Sequence, residues 1–593
     1  MSTTTQPKLR LDPITFEVIR SSLMTMVDEM GHRLFRAALS PPVNQGRDYS
    51  IAVFDSEGSC VTAGHWDMPV HYGTFPYTIR EVMRVMGREN LKQGDIYLFN
   101  DPYTGGTHNP DIRAVRPIFR EGELVAWVVS MAHWPDVGGP VPGSFNSEAA
   151  DCYSEGVRIP PIKVYENDEP LDWVIQLLLT NMRNGHERNG DLYAQIQTLF
   201  MGEERLLELF DKYGADTMSA AFEESWDYAE RMLRAQTEQV PDGVYEYSSF
   251  IDQDALDPEL RPVEIKLKMT VESGNLTFDF TDSDDAPLGP VGSTLPTTLA
   301  GVLLTVLNLF PGVPYNDGIQ RVVRLKTRPG SAVHVLPPSP CSGTACGSLE
   351  KVIDCVIGAV GAASPDREMG GRFNLVNLTM GGRDERTGQD YVMYMWTTGG
   401  MGGSARGDLP YPTHTIFGPG IRTQPTEVLE RHYPVLITKA AVRESSFGAG
   451  EHRGGWGTQY RFKLTSGSAK IGIMGDRRKF VPWGVQGGAD APPQSVIRDP
   501  GLPEEYDVGM SASNVPISAG SDFELLTTGG GGWGDALKRD PKLVLEDVID
   551  EYISVDEAKE QYGVVIDPVD PYLLDYRLDD AATACERQAR AAA

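Results

Sequence analysis

Nowhere among the 593 residues does an apolar run approach the length of a membrane span. The best segment is 299–310, inside a charge-free stretch from 286 to 316, and Pro290, Pro296, Pro311 and Pro314 surround it. Crossing a bilayer takes about 20 mostly apolar residues, so this segment reads as a buried helix. The opening residues, MSTTTQPKLRLDP, have no apolar core of a secretory signal. Cysteine is scarce, with only Cys60, Cys152, Cys341, Cys346, Cys355 and Cys585, too few for a disulfide framework in so long a chain. Cys341, Cys346 and Cys355 could imitate a thiolate metal site, but buried free thiols are the preferred reading. These absences point to a cytoplasmic protein. Positive charge is also in deficit: 53 Lys and Arg face 83 Asp and Glu, a net charge of −30. That balance disfavours nucleic acid and anionic membranes as partners. Two catalytic signatures are missing as well. There is no GxxxxGK[ST], since TTGGMGG and TTGGGGWGD lack the following lysine, and no GxSxG, since the Ser342 region reads CSGTACG. The chain therefore carries no recognisable nucleotide fold and no serine-hydrolase elbow.

What is plentiful is glycine, 62 residues beside 42 prolines, in a chain that is 40% hydrophobic. Such glycine is expected at turns and close backbone approaches in a folded, enzyme-sized protein. An anion-binding nest is the alternative for the glycine runs, and turn or packing duty is preferred.

The pattern of elements indicates an α+β fold with several lobes. Residues 12–40 begin with a cap and first-turn pair, Asp12-Pro13, and Ile19, Leu23, Met26, Met30 and Leu34 recur at helical spacing. The period changes at 49–61, read as two short strands around Ser56-Glu57-Gly58, and further strands are expected at 96–100, 112–118 and 124–131. Residues 191–237 read as long helices. A β-rich unit begins near 241, helical signals return at 299–310 and 351–361, and 372–526 is strand-like and broken by glycine. A last helix is expected at 541–549, followed by an acidic tail. The resulting division is an N-terminal α/β region over 1–240, a mixed region over 241–370 and a glycine-rich β-dominated region over 371–593. No 20–50-residue repeat recurs, which disfavours a solenoid or propeller.

Two of the ten histidines stand apart. His108, in Thr107-His108-Asn109-Pro110-Asp111, and His133, in His133-Trp134-Pro135-Asp136, each lie where a glycine-containing loop meets a predicted strand. Imidazole combined with carboxylate suits Zn²⁺ or Mn²⁺, and three such ligands leave room for water or substrate. A hydrogen-bonded polar loop is the competing reading. Asp48 is a candidate fourth carboxylate, or else a salt-bridge or capping residue. His65 and His71, in GHWDMPVHYG, are candidate supporting donors or substrate contacts, or simply satisfied histidines in a turn.

At these residues the sequence resembles the hydantoinase B family, which includes the corresponding halves of oxoprolinases and of ATP-dependent ketone carboxylases. The similar segments are DPITFEVIR (12–20), GRDYSIAVFD (46–55), PVHYGTFP (69–76), GDIYLFNDPYTGGTHNPDI (94–112) and AHWPDVGGPVPGS (132–144). They continue with EGVRIPP (155–161), GDLYAQ (190–195), GAGEHRGGWG (448–457), DRRKFVPWG (476–484) and TTGGGGWGD (527–535). The resemblance implies a hydantoinase A-type partner, an ATPase that binds ATP and Mg²⁺, in a hetero-oligomer with two copies of each chain. It implies a divalent metal, Zn or Mn, held by His108, Asp111 and His133 with Asp48 completing the set. Asp136 and His71 then become candidates for proton transfer or positioning. The implied activity is ATP-dependent hydrolysis of a cyclic amide (lactam, hydantoin or oxoproline-like), in which the partner phosphorylates the amide and water activated by the metal attacks it. Ketone carboxylation is the alternative, and a non-catalytic scaffold the third class. Two departures bear on the substrate: His133-Trp134 replaces a His-His pair, and residues 399–420 differ from the usual GTGARPG-type pattern. Trp134 either packs or walls a less polar substrate.

Overall fold

A computed structural model describes residues 10–409, 412–413 and 420–591. Its first unit is a seven-stranded antiparallel sheet of β1 (Tyr49–Asp55), β2 (Cys60–Ala63), β3 (Ile96–Phe99), β4 (Asp111–Arg120), β5 (Glu123–His133), β6 (Ile162–Glu166) and β7 (Glu169–Pro170). The order across the sheet is β2-β1-β5-β4-β3-β6-β7. Alternate side chains feed two cores, as the pleat requires. Ile51, Val53, Ile112, Ala114 and Val128 face one core, with helices Pro13–Ala37 and Gly185–Tyr213. Ala52, Phe54, Val115, Trp127 and Val129 face the other, with helix Phe75–Met86. Burial of both faces explains why β5 reads as a near-continuous apolar run over Leu124–Val129.

The first helix buries the stripe predicted for it, and Asp12 accepts a hydrogen bond from the Thr15 N–H. The long helical region divides at Gly214, whose φ of 81° ends one helix and begins Ala215–Thr237. Helices Leu295–Leu309 and Ser348–Ala363 fall where expected; the second packs on a four-stranded sheet and the first packs on the second, in one shared core. Its strands are Gly243–Ile251, Val263–Glu272, Asn275–Asp279 and Val323–Lys326. Downstream, a four-stranded and a five-stranded sheet share a core that includes Leu378, Met393, Phe462, Ile471 and Phe523. Helix Pro541–Ile549 forms as expected, but it is not the last. Where an acidic tail was expected, the chain forms helix Val555–Tyr562, hairpin Ile566–Asp570/Asp575–Leu578 and helix Asp580–Ala591. Ser554 and Glu557 make a capping box there, a signal present in the sequence as S-x-x-E.

The C-terminal glycine runs converge. Gly370 donates to Gly403, Gly403 to Gly531 and Gly531 to Gly371, at 2.8–2.9 Å. Nearby, Gly448 donates to Gly530, Gly530 to Gly455 and Gly455 to Met401, at 2.8–3.0 Å. A Cβ on Gly402, Gly454, Gly530 or Gly532 would overlap a carbonyl oxygen of the crossing chain. These amides are spent on carbonyls and do not form an anion nest. Cys341, Cys346 and Cys355 are buried and free. Cys346 Sγ accepts from Asn377 at 3.0 Å, and Cys355 donates to the Ile265 carbonyl at 3.2 Å, consistent with the free-thiol reading. Among the described residues, no helix is long and apolar enough to cross a membrane.

Candidate metal centre

The sheet register builds the centre. Asp111 opens β4 and lies opposite His133 at the end of β5. On the other side of β5, Tyr49 of β1 pairs with Ala132, and the His133 N–H donates to the Asp48 carbonyl at 3.1 Å. Three adjacent strands thus deliver Asp48, Asp111 and His133 to one sheet end. His108 arrives from the loop three residues before Asp111, and His71 from the short helix Pro69–Tyr72.

Asp111 is the hub. Its carboxylate lies 2.9 Å from His108 Nδ1, 3.2 Å from His133 Nδ1 and 3.7 Å from His71 Nε2, and it accepts a hydrogen bond from Thr107. Arg113, fully buried behind it, donates to the Asp111 carbonyl at 3.0 Å and to the hydroxyls of Thr74 and Thr107. His133 stacks on Tyr394 with ring centroids 4.6 Å apart. Asp48 stands at the side, 3.8 Å from His133 Nδ1.

Electrostatics separates the two carboxylates. Burial, reinforced by the charge of Asp111, holds the Asp48 carboxyl well above the usual carboxylate range. Burial also opposes ionisation of Asp111, but His108 and His71, with hydrogen bonds from His108 and His133, hold it well below that range. Burial pushes His133 down to about 4 and His71 down to about 3. Both imidazoles are consequently neutral at pH 7 and keep a lone pair.

This donor set fits a divalent ion. One ligand atom each from His108, Asp111 and His133 lies within 4.8 Å of the others, all three residues are buried, and this is the only such group among the described residues. Donors around an ion with bonds of about 2.1 Å sit roughly 3–3.5 Å apart, close to the contacts Asp111 makes. One oxygen of Asp48 and Nε2 of His133 are buried with no hydrogen-bond partner. Groups this deep normally have one, so these atoms have capacity for a ligand.

Other sequence-singled residues lie elsewhere. Asp136 is fully buried, but its oxygens are occupied by the N–H groups of Gly138, Gly143 and Arg183 and by the Arg183 guanidinium, at 2.9–3.0 Å. It ties the 136–144 loop and is absent from the cavity lining. His65 is exposed, its ring beside Trp66. Trp134 packs in the core on the opposite side from His133, its indole N–H donating to Gln195 at 3.0 Å. It therefore packs and does not wall the site. His71 does line the cavity, anchored through Nδ1 to Ser50 Oγ at 2.8 Å. The walls come from segments that carried no signal of their own, including Thr297, Leu349, Tyr394 and Trp396. Trp396 ends the apolar strand Gln389–Trp396 and reads as a core residue, and only tertiary assembly brings it here.

Fold and site together define an α+β protein built around a buried His-Asp-His cluster whose donors could hold a metal ion. The model for the hydantoinase B/oxoprolinase family matches residues 12–536, and the chain belongs to that family. It is 32% identical over 581 residues to an uncharacterized protein of Methanocaldococcus jannaschii, covering 95% of this chain and 98% of that one. It is 31% identical over 595 residues to the caprolactamase subunit beta of Pseudomonas jessenii, covering 98% and 99%. The solved structure of the ATP-dependent caprolactamase from that organism superposes with a TM-score of 0.89 over 98% of this chain. A nucleotide-free acetone carboxylase structure superposes with a TM-score of 0.90 over 98% of this chain and 83% of its own, at 21% identity, a likeness of fold.

Proposed function

We propose that this chain is the metal-binding subunit of an ATP-dependent cyclic-amide hydrolase, working in a hetero-oligomer with a hydantoinase A-type ATPase. The observation that carries the reading is the buried His108–Asp111–His133 cluster opening onto a cavity. It is supported by full-length similarity to a caprolactamase subunit. His108, Asp111 and His133 would hold Zn²⁺ or Mn²⁺, with Asp48 beside them. Such an ion supplies Lewis acidity and makes water more acidic. The chain's own residues do the rest. Arg113 and Thr107 fix the Asp111 carboxylate, and Ser50 fixes the His71 ring with Nε2 facing Asp111. A proton released there has two acceptors close by, His71 Nε2 and the unpartnered oxygen of Asp48. Burial keeps bulk water from the reacting amide, which matters for an activated, phosphorylated intermediate made on the partner.

The test is purification with the ATPase partner, followed by ATP-dependent ring opening of lactams, hydantoins and 5-oxoproline. Stoichiometric ATP cleavage and amino-acid release are expected. Bicarbonate-dependent carboxylation of a ketone, with no cyclic amide opened, would overturn the proposal.

A further inference from the structure

The cavity at the metal centre is chemically one-sided. Among the described residues its free polar atoms gather at the end formed by Asp48, His71, His108, Asp111 and His133, while Met68, Val70, Leu349, Leu375, Trp396 and Ile421 line it elsewhere. The remaining polar side chains in the lining are already engaged. The Thr107 hydroxyl is held between Asp111 and Arg113. Thr297 donates to the Thr107 carbonyl at 3.2 Å, Thr344 shares a hydrogen bond with Ser293 at 2.6 Å, and Tyr394 donates to Asn377 at 2.8 Å.

Cations are missing from this lining as well. Among the described residues no Lys or Arg borders the cavity. The ten residues 410–419, PYPTHTIFGP, contain neither. Arg113 is behind Asp111 and committed to three acceptors. Arg47, although adjacent to Asp48, has its guanidinium over the Phe35 ring at 4.6 Å.

Resting on the cyclic-amide reading, we infer that the cavity selects an uncharged lactam with one amide and an otherwise methylene ring. The single amide meets the polar end and the methylenes meet the apolar wall. 5-Oxoproline would bring a carboxylate, and hydantoin a second imide carbonyl and N–H, against the apolar wall, where no lining side chain among the described residues offers a free polar partner. An unpaired buried charge or amide is strongly disfavoured. Leu349, Trp396 and Ile421 are on this account residues that set specificity, and none of them is a metal ligand.

The experiment uses the complex with the ATPase partner, loaded with Mn²⁺ and free of ATP. Paramagnetic broadening of ligand protons reads binding next to the metal, and ATP-dependent hydrolysis is measured in parallel. δ-Valerolactam is expected to bind at least about 100-fold more tightly than 5-oxoproline or hydantoin. Ile421→Arg, which adds a cation at the wall, is expected to narrow the valerolactam-to-5-oxoproline ratio at least about tenfold. Equal or tighter binding of 5-oxoproline or hydantoin, or no broadening of any lactam, overturns the inference. Selective lactam binding without hydrolysis of any cyclic amide sustains the inference and overturns the hydrolase reading. Hydrolysis of 5-oxoproline as efficiently as of lactam does the reverse.

Discussion

The loop that follows His133 and the C-terminal glycine junction have similar compositions and differ in backbone conformation. In the 136–144 loop, Gly138, Gly139 and Gly143 adopt positive φ of 91°, 84° and 83°. There the left-handed backbone itself favours glycine, although a Cβ on Gly138 would also meet the Asn181 carbonyl oxygen at 2.5 Å, and Asp136 accepts the hydrogen bonds that hold the turn. At the junction, Gly402, Gly454, Gly530 and Gly532 have no such φ; they are glycine because the carbonyl of another segment of the same chain occupies the space of a Cβ. One region uses glycine to form a turn held by Asp136, and the other uses it to let segments of the chain cross. A stretch of sequence rich in glycine is therefore informative only once its neighbours are known.

That contrast can be broken most severely by Gly530→Ala. The methyl would overlap Met401 and Gly402 backbone, so the crossing must open and its hydrogen bonds lengthen. A loss of about 4 kcal/mol or more, or no soluble native protein, is expected in urea unfolding. Unchanged stability would mean that the junction is loosely packed. Asp111→Asn is the counterpart at the candidate metal centre. Activity of the complex should fall at least about 1,000-fold while far-UV circular dichroism stays native, because the hub carboxylate orients ligands and the sheet supports the fold.

Acidification probes the same centre without mutation. His71 and His133 have folded pKa values of about 3 and about 4, depressed below the ordinary 6.5 by burial. Between those values and 6.5 the unfolded chain binds more protons, so stability falls as pH drops from about 6.5 toward 4. Each histidine contributes on the order of 3 kcal/mol across its window in the metal-free protein. Denaturant midpoints at pH 7, 6, 5 and 4 measure it, and a flat profile would refute neutral burial. Asp136→Asn comes next, with an expected cost of about 2 kcal/mol from the Arg183 contact and loop hydrogen bonds. Metal content and the pH profile of activity should stay unchanged; a displaced pH profile would restore Asp136 to proton transfer. Smallest is Gly122→Ala, where φ is 87° but nothing lies within 4 Å of the added carbon. About 1 kcal/mol is expected there, the cost of backbone conformation alone.

How much could be read without the structure follows the range of the interactions. The stripe Ile19–Leu34 and strands β3 to β5 announce themselves through periodicity, which is local. Asp48, His108, Asp111 and His133 stand out because each carries an unusual residue type at a strand end, and register then brings them together. Tyr394, Trp396 and Leu349 give no such sign, since they look like any core residue until helix Ser348–Ala363 and the downstream sheet close over the site. For Trp134 the sequence leaves packing and substrate contact both open, and geometry decides for packing: neighbouring residues at the end of a strand face opposite sides, so its contact is Gln195. The C-terminal helices were hidden by their charge, although Ser554 and Glu557 carried the capping signal.

The most direct test is the divalent-metal content of wild-type and His133→Ala protein, purified in parallel from medium containing zinc and manganese. The cluster predicts about one ion per wild-type chain and less than about 0.1 in the variant, with both folded. Equal metal in the two proteins, or none in the wild type, would contradict a metal centre at His108, Asp111 and His133.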